Sequence, residues 1–271
     1  MEGEGVSIII AVFAITILYL YLIAPRMFRK PNRSVLSGTH YAHRGLFDNE
    51  TDAPENSIAA IRKAVEAGYG IEFDVQLSKD DIPVVFHDAS LKRMCQVEGK
   101  VCEYTLRELR HMKLAKSKEK IPTLEEVLEV VSGKVPLIIE YKMDDMDTKV
   151  CELSNVILQE YKGTYCIESF HPFAVRWYKK HRPDVIRGQL SRDFSKTQQK
   201  GIKYWLMTHL LTNFLTRPDF IAYHHKDARK ISRRICKCLG ALSVAWTIKN
   251  EEQYKRSQKW FDLVIFDSFI L

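Results

Sequence analysis

Two histidines, three carboxylates and two cationic side chains stand at spacings that could do chemistry together. His43 and Arg44 follow the short run Tyr41–Ala42 directly, and His87–Asp88 closes the run "IPVVFH". Glu72 and Asp74 lie two residues apart inside the apolar stretch "GIEFDVQL", and Glu140 and Lys142 repeat that spacing at the end of "PLIIEY". In an extended strand residues two apart share a face, so each pair points one way. Carboxylates facing an apolar interior need a cation. Glu72, Asp74 and Glu140 form an all-oxygen set suited to Mg²⁺ or Ca²⁺; an ion-pair network with Arg44 and Lys142 is the other way to neutralise them. Two basic residues leave the three acids in surplus, which points to a divalent ion. Arginine and lysine beside such a cluster suit a phosphate. His43 and His87 then suit a general base and a general acid near neutral pH. The combination is what metal-assisted cleavage of a phosphodiester requires.

The elements that must hold these residues alternate. Apolar runs at 40–44, 71–75, 136–141, 165–170, 185–190, 220–224, 242–247 and 263–267 are separated by stretches such as 57–68 and 146–161, whose apolar residues recur at three and four. Strand, helix, strand implies parallel pairing through crossover helices. The run at 82–87 is separated from 71–75 only by "QLSKDD", too little for a parallel crossover, so it predicts an antiparallel hairpin. Asp80 or Asp81 would take the left-handed turn position. Eight parallel strands remain, the number that closes a (β/α)8 TIM barrel. An open doubly wound sheet would want a glycine-rich phosphate loop after the first strand, and none is present. Residues 88–135 hold two helical patterns, 105–112 and 123–131, each opening on a threonine able to cap it. The first reads as a small helical insertion over the barrel top, the second as the helix leading into 136–141.

The barrel accounts for residues 39–271, behind a basic segment at 26–38 and an apolar segment at 1–25. Residues 6–24 carry no charge and as a helix would span a bilayer. A cleaved signal peptide is the competing reading, but Glu2 and Glu4 stand where a basic region would be, and no small-residue cleavage site follows. Arg26, Arg29, Lys30 and Arg33 follow the span, which by the positive-inside rule predicts a single-pass membrane protein with its large domain in the cytoplasm. The formal charge of +7 favours anionic partners without choosing among them. Six scattered cysteines without paired spacing suggest free thiols in a reducing compartment rather than a disulfide scaffold or a zinc site. Nucleic acid is not expected as a partner, since aromatics are not interleaved with the basic residues. The run "KDARKISRRICK" at 226–237 reads as a solvated helix face, or as a contact for anionic lipid.

In order, "HRG" (43–45), "PENS" (54–57), "EFDVQLSKDDIPVVFHD" (72–88), "IEYK" (139–142), "SF" (169–170) and "VAWT" (244–247) resemble the glycerophosphodiester phosphodiesterase family, from residue 40 to the end. The resemblance implies a TIM barrel with Glu72, Asp74 and Glu140 on a metal, His43 and His87 as acid and base, and Arg44 and Lys142 on phosphate. It also implies Glu55 as an acid supporting the site and Trp246 as an aromatic lining the substrate pocket. Asp81 replaces a common glycine, and "FDSF" (266–269) keeps Asp267 of a terminal pattern but not its neighbours, departures expected to leave the catalytic set untouched. The expected activity is hydrolysis of a small glycerophosphodiester to glycerol 3-phosphate and an alcohol. Lysophospholipase D-like cleavage of membrane lysophospholipids, or an idle anchored binding protein, are the alternatives.

Overall fold

The computed structural model describes residues 2–271; Met1, the first residue of the apolar segment, lies outside them. Eight parallel strands close into a barrel: β1 (Tyr41–His43), β2 (Gly70–Leu77), β4 (Leu137–Tyr141), β5 (Tyr165–Ser169), β6 (Ile186–Ser191), β7 (Phe220–His224), β8 (Leu242–Ile248) and β9 (Leu263–Phe266). Closure comes from β1, which pairs with both β2 and β9. β3 (Pro83–Val85) pairs antiparallel with β2, and Asp81 takes the left-handed turn position at φ 64°. The hairpin is therefore present as expected, outside the closed ring.

The helices are α1 (Glu2–Ile23), α2 (Ile58–Glu66), α3 (Lys92–Cys95), α4 (Leu106–Leu109), α5 (Leu124–Val131), α6 (Lys149–Glu160), α7 (Pro172–His181), α8 (Ile202–Thr208), α9 (Asn213–Thr216), α10 (Ile231–Cys238) and α11 (Glu251–Ser257). Ser57 caps α2, and Thr105 and Thr123 cap α4 and α5 in reciprocal boxes with Glu108 and Glu126. The helix expected at 105–112 stops at Leu109 with Arg110 as its cap, because the amides of His111 and Met112 bond three rather than four residues back. The insertion has its own small core of Val84, Phe86, Leu91, Met94, Val101, Leu109, Leu114 and Ile121. It can therefore hold the end of the hairpin rigidly without drawing on the barrel's packing.

α1 is apolar and almost wholly exposed, long enough to cross a bilayer over Glu4–Ile23. The basic residues after it are docked. Arg26 donates to the carbonyl of Pro183 and lies 3.7 Å from Asp219, and Arg33 bridges the carbonyls of Asp219 and Gly240. Those acceptors precede β6, β7 and β8, so residues 26–38 are bound to the bottom of the barrel. The solvated face expected at 226–237 needs correction at Arg233. That guanidinium is buried, lies over the Phe261 ring and donates to Ala228 O, Ser243 Oγ and Trp260 O. The inner face of α10 is close enough to the start of β8 for an arginine to satisfy groups that no shorter side chain would reach. The cysteines described are all free thiols.

One glycine decides where His43 and Arg44 sit. Gly45 has φ +82°, and a Cβ there would lie 2.7 Å from the backbone carbonyl carbon of Ala60 in α2. Only glycine lets the chain turn this tightly against the helix. Gly45→Ala is expected to destabilise the protein by roughly 1–3 kcal/mol and to lower turnover by displacing His43 and Arg44. Thermal melting and initial rates of the detergent-solubilised chain check both effects.

Candidate active site

Register places the acids in level rows. His43 stands opposite Glu72 across β1–β2, and Asp74, Glu140 and Glu168 stand in line across β2, β4 and β5. All four carboxylates are buried; Glu140 and Glu168 stand near the carboxyl ends of their strands, while Glu72 and Asp74 lie within β2, whose last residues continue into the hairpin. Glu72, Asp74 and Glu140 each offer an oxygen within 4.8 Å of the others. That separation is no greater than two Ca²⁺–oxygen bond lengths, so the three can share one hard cation.

Charge in the cluster is unevenly satisfied. Lys142 Nζ lies 2.8 Å from Asp74 and 2.6 Å from Glu140, and Arg44 Nε lies 3.3 Å from Asp74. Asn56 Nδ2 adds a hydrogen bond to Asp74. Burial alone would raise the Asp74 carboxyl, but the charges of Lys142, His87 and Arg44 hold it well below its ordinary range. Glu72 is pushed well up by burial and by repulsion from Asp74, Glu140 and Glu168. Glu140 is pushed up to about 7, by burial first and despite Lys142. Glu168 is raised for the same reasons, and its Oε2 has no hydrogen-bond partner. The ion-pair network therefore exists, and it saturates at Asp74. The remaining negative charge is the feature that fits a divalent cation.

Each histidine is oriented by a carboxylate. His43 Nδ1 lies 2.9 Å from Asp267 Oδ2, leaving Nε2 toward Glu72 at 3.9 Å. His87 Nδ1 lies 2.6 Å from Asp88 Oδ1. Burial lowers the pKa of both rings; Asp267 works against it at His43, and Asp74 against it at His87. Asp267, the residue that the altered "FDSF" ending keeps, thus touches His43 directly. Barrel closure is the reason: β9 is the neighbour of β1, although the two residues are far apart in sequence.

A chain of ion pairs fastens the rim. Glu55 receives Arg44 at 2.7 Å and Arg93 at 2.6 Å, and Arg93 Nε donates to Asp88 at 2.6 Å. Burial raises the Glu55 carboxyl, but hydrogen bonds from Arg93 and the charge of Arg44 outweigh it and hold it at about 2. Gln76 Nε2 donates to the carbonyls of Phe86 and Asp88, pinning the hairpin end that carries His87. A cavity of about 710 Å³ opens beside the cluster, lined by His87, Glu140, Lys142, Phe170, Arg192 and Tyr204 among others. Trp246 packs edge-on against Phe170 at 5.5 Å and lies 5.9 Å from the Arg192 guanidinium carbon, one layer back from that cavity.

Sequence reasoning missed Glu168, Gln76 and Arg93 as parts of this site, and gave Asn56 and Asp88, quoted beside the predicted residues, no contact in it. Glu168 had a usable signal, an acid in the middle of the apolar run "YCIES". Arg93 had none, because only folding of the insertion brings it to Glu55.

A TIM barrel that gathers paired histidines, an acidic triad and two cations at the carboxyl ends of its strands defines a barrel hydrolase suited to phosphate esters. The chain matches the glycerophosphoryl diester phosphodiesterase family over residues 43–270. The glycerophosphodiester phosphodiesterase of Caldanaerobacter subterraneus subsp. tengcongensis is 31% identical, with 80% of this chain and 88% of the relative covered. Glycerophosphodiester phosphodiesterase 1 of Bos taurus is 36% identical, with 80% and 74% covered. Among solved structures, an Oleispira antarctica phosphodiesterase in complex with the product sn-glycerol-3-phosphate superposes with a TM-score of 0.69 at 27% identity, covering 85% of this chain and 93% of that one. The Thermotoga maritima glycerophosphodiester phosphodiesterase gives 0.66 at 26% identity, covering 85% and 95%. The chain belongs to the glycerophosphoryl diester phosphodiesterase family.

The raised Glu140 carboxyl yields a pH dependence. Its folded value of about 7 exceeds the ordinary 4.5, so the folded state keeps a proton that the unfolded chain has released. The stability it contributes is full below pH 4.5 and is lost as pH rises through about 7, on the order of 3 kcal/mol in total. In EDTA, the wild type should therefore lose stability relative to Glu140→Gln as pH climbs across that window. A difference in melting temperature that stays flat would remove Glu140 from the shared-charge cluster.

Proposed function

We propose that this protein hydrolyses glycerophosphodiesters to glycerol 3-phosphate and an alcohol with a divalent ion, Mg²⁺ or Ca²⁺, held by Glu72, Asp74 and Glu140. The observation that carries the reading is the pair of carboxylate-oriented histidines, His43 with Asp267 and His87 with Asp88, on either side of an acidic triad with surplus charge. Hydrolysis breaks the bond from phosphorus to the alcohol oxygen. The attacking oxygen must lose a proton and the leaving oxygen must gain one, so two groups in opposite protonation states are required. With each Nδ1 committed to a carboxylate, each Nε2 remains for that exchange. Arg44 and Lys142 are the candidates to bind the phosphate oxygens. Glu55 would hold Arg44 in place, and Trp246 would back the aromatic wall formed by Phe170. A bound divalent ion would supply positive charge for the phosphate oxygens beside Arg44 and Lys142.

We further read α1 as a single membrane span with the barrel on the cytoplasmic side, supported by its apolar length and the Arg26, Arg29, Lys30 and Arg33 cluster that follows it.

The detergent-solubilised full chain should release glycerol 3-phosphate from glycerophosphocholine with Mg²⁺ or Ca²⁺ and lose that activity in EDTA. Absence of product with every divalent ion tested would favour a binding protein instead. His43→Ala and His87→Ala should each lower turnover by about 10²–10⁴-fold with melting unchanged, and a near-normal rate in either variant would refute that histidine's role. Asp267→Asn should cost less than His43→Ala. It should also move one limb of the pH–rate profile to lower pH, because the carboxylate that raises the His43 pKa is gone. A profile that does not move would leave Asp267 with packing alone.

A further inference from the structure

The direction in which α1 docks on the barrel has a consequence for where the catalytic mouth faces. Helices that follow barrel strands start at the carboxyl ends and run down, so α10, which follows β7, begins at the catalytic rim with Ile231 and descends to Cys238. α1 runs beside it in the same direction. Its last residue, Ile23, is buried and its carbonyl accepts from Cys236 Sγ and Asn213 Nδ2 lower on the barrel. One turn earlier, Tyr19 lines a groove together with Ile231 and Ser232 at the start of α10 and with Asp193, Lys226 and Arg229 from the loops after β6 and β7. The exposed part of α1 before Tyr19 therefore projects beyond the catalytic rim, where it rises about 1.5 Å per residue. The bilayer that this part enters lies over the carboxyl ends of the strands.

The rim next to α1 has the surface such a bilayer would require. Ile202, Trp205 and Ile231 are 71%, 52% and 68% exposed, high for large apolar side chains. They belong to one region: Ile202 and Trp205 are one turn apart on α8, Trp205 packs against His209 at 5.0 Å, and His209 lines the same groove as Tyr19 and Ile231. Lys200, Lys226 and Arg229 lie around them, exposed and without an ion-pair partner among the described residues. Apolar side chains with a tryptophan among unpaired basic residues form the pattern that seats a protein at the headgroup level of an anionic leaflet. The neighbours of Ile202 and Trp205 on α8, Lys203, Tyr204 and Met207, line the catalytic cavity. α8 thus separates the apolar patch from the site by a single helix.

We propose that the patch of Ile202, Trp205 and Ile231 with Lys200, Lys226 and Arg229 docks on the anionic phospholipid surface of the membrane that α1 crosses, holding the mouth of the catalytic cavity against the bilayer. This rests on the reading of α1 as a membrane span. The test reconstitutes the full chain in phosphatidylcholine–phosphatidylserine vesicles containing brominated lipid and compares it with Trp205→Phe, so that the difference emission belongs to Trp205. Quenching of most of that difference emission is expected. It should be largely lost in Lys200→Glu/Lys226→Glu/Arg229→Glu and in vesicles of phosphatidylcholine alone, while turnover of soluble glycerophosphocholine in detergent stays unchanged in the triple variant. Extraction of the protein by alkaline carbonate would overturn the span, and the docking with it. Retained protein with unquenched Trp205 would overturn the docking alone. Unquenched Trp205 with a cross-linked dimer through α8 would assign the face to a second copy.

Discussion

Four buried carboxylates at the open end of one barrel impose the constraint from which the rest of the site follows. An apolar wall on the strands β2, β4 and β5 would be more stable by itself, because burying unpaired negative charge is costly. The barrel offsets that cost most fully at one position. Lys142, Arg44, His87 and Asn56 converge on Asp74, whose carboxyl stays ionised, while Glu72 and Glu140 are raised toward neutrality by burial and by one another. The asymmetry leaves carboxylate oxygens whose charge the protein does not balance, which the proposed divalent ion would take up. A structural ion-pair network would be expected to balance, and this one does not.

The surrounding residues keep that unbalanced cluster in place. Arg44, Glu55, Arg93, Asp88 and His87 form a continuous run of charge-assisted contacts from the loop after β1 to the end of the hairpin. Such contacts are shorter and stronger than neutral hydrogen bonds, and here both ends of the run are candidate functional groups. The Asp267–His43 pair closes the ring on the other side. His43 is therefore held through Nδ1 by an acid from a different strand, and His87 by its own sequence neighbour Asp88, which Arg93 fastens in turn. The small core of the insertion gives the Arg93 end a rigid footing.

At the opposite end of the barrel, Arg26 and Arg33 tie the segment after α1 to Asp219 and to carbonyls below β6, β7 and β8. The apolar helix is thus fixed in direction relative to the strands rather than tethered by a loose linker. With α1 as the proposed span, the orientation of the barrel toward the membrane becomes a property of the fold. A flexible connection would have left the catalytic mouth free to face any way.

Much of this was determined by the sequence alone. Alternation of strand and helix patterns, and a hairpin gap too short for a parallel crossover, led to eight parallel strands with one antiparallel addition. The two-residue spacing of Glu72–Asp74 and Glu140–Lys142 placed each pair on one face, because strand periodicity is local. An uncharged run before Pro25 was equally plain. Tertiary structure alone decided the contacts that depend on closure and docking. Asp267 meets His43 because β9 lies beside β1, Arg93 meets Glu55 because the insertion folds back, and Arg233 is buried because α10 lies against β8. Direction of α1 along the barrel was likewise invisible, since it is set by where Ile23, Arg26 and Arg33 find partners, and those partners lie more than a hundred residues away. Periodicity reports which face a residue takes; only packing reports what that face meets.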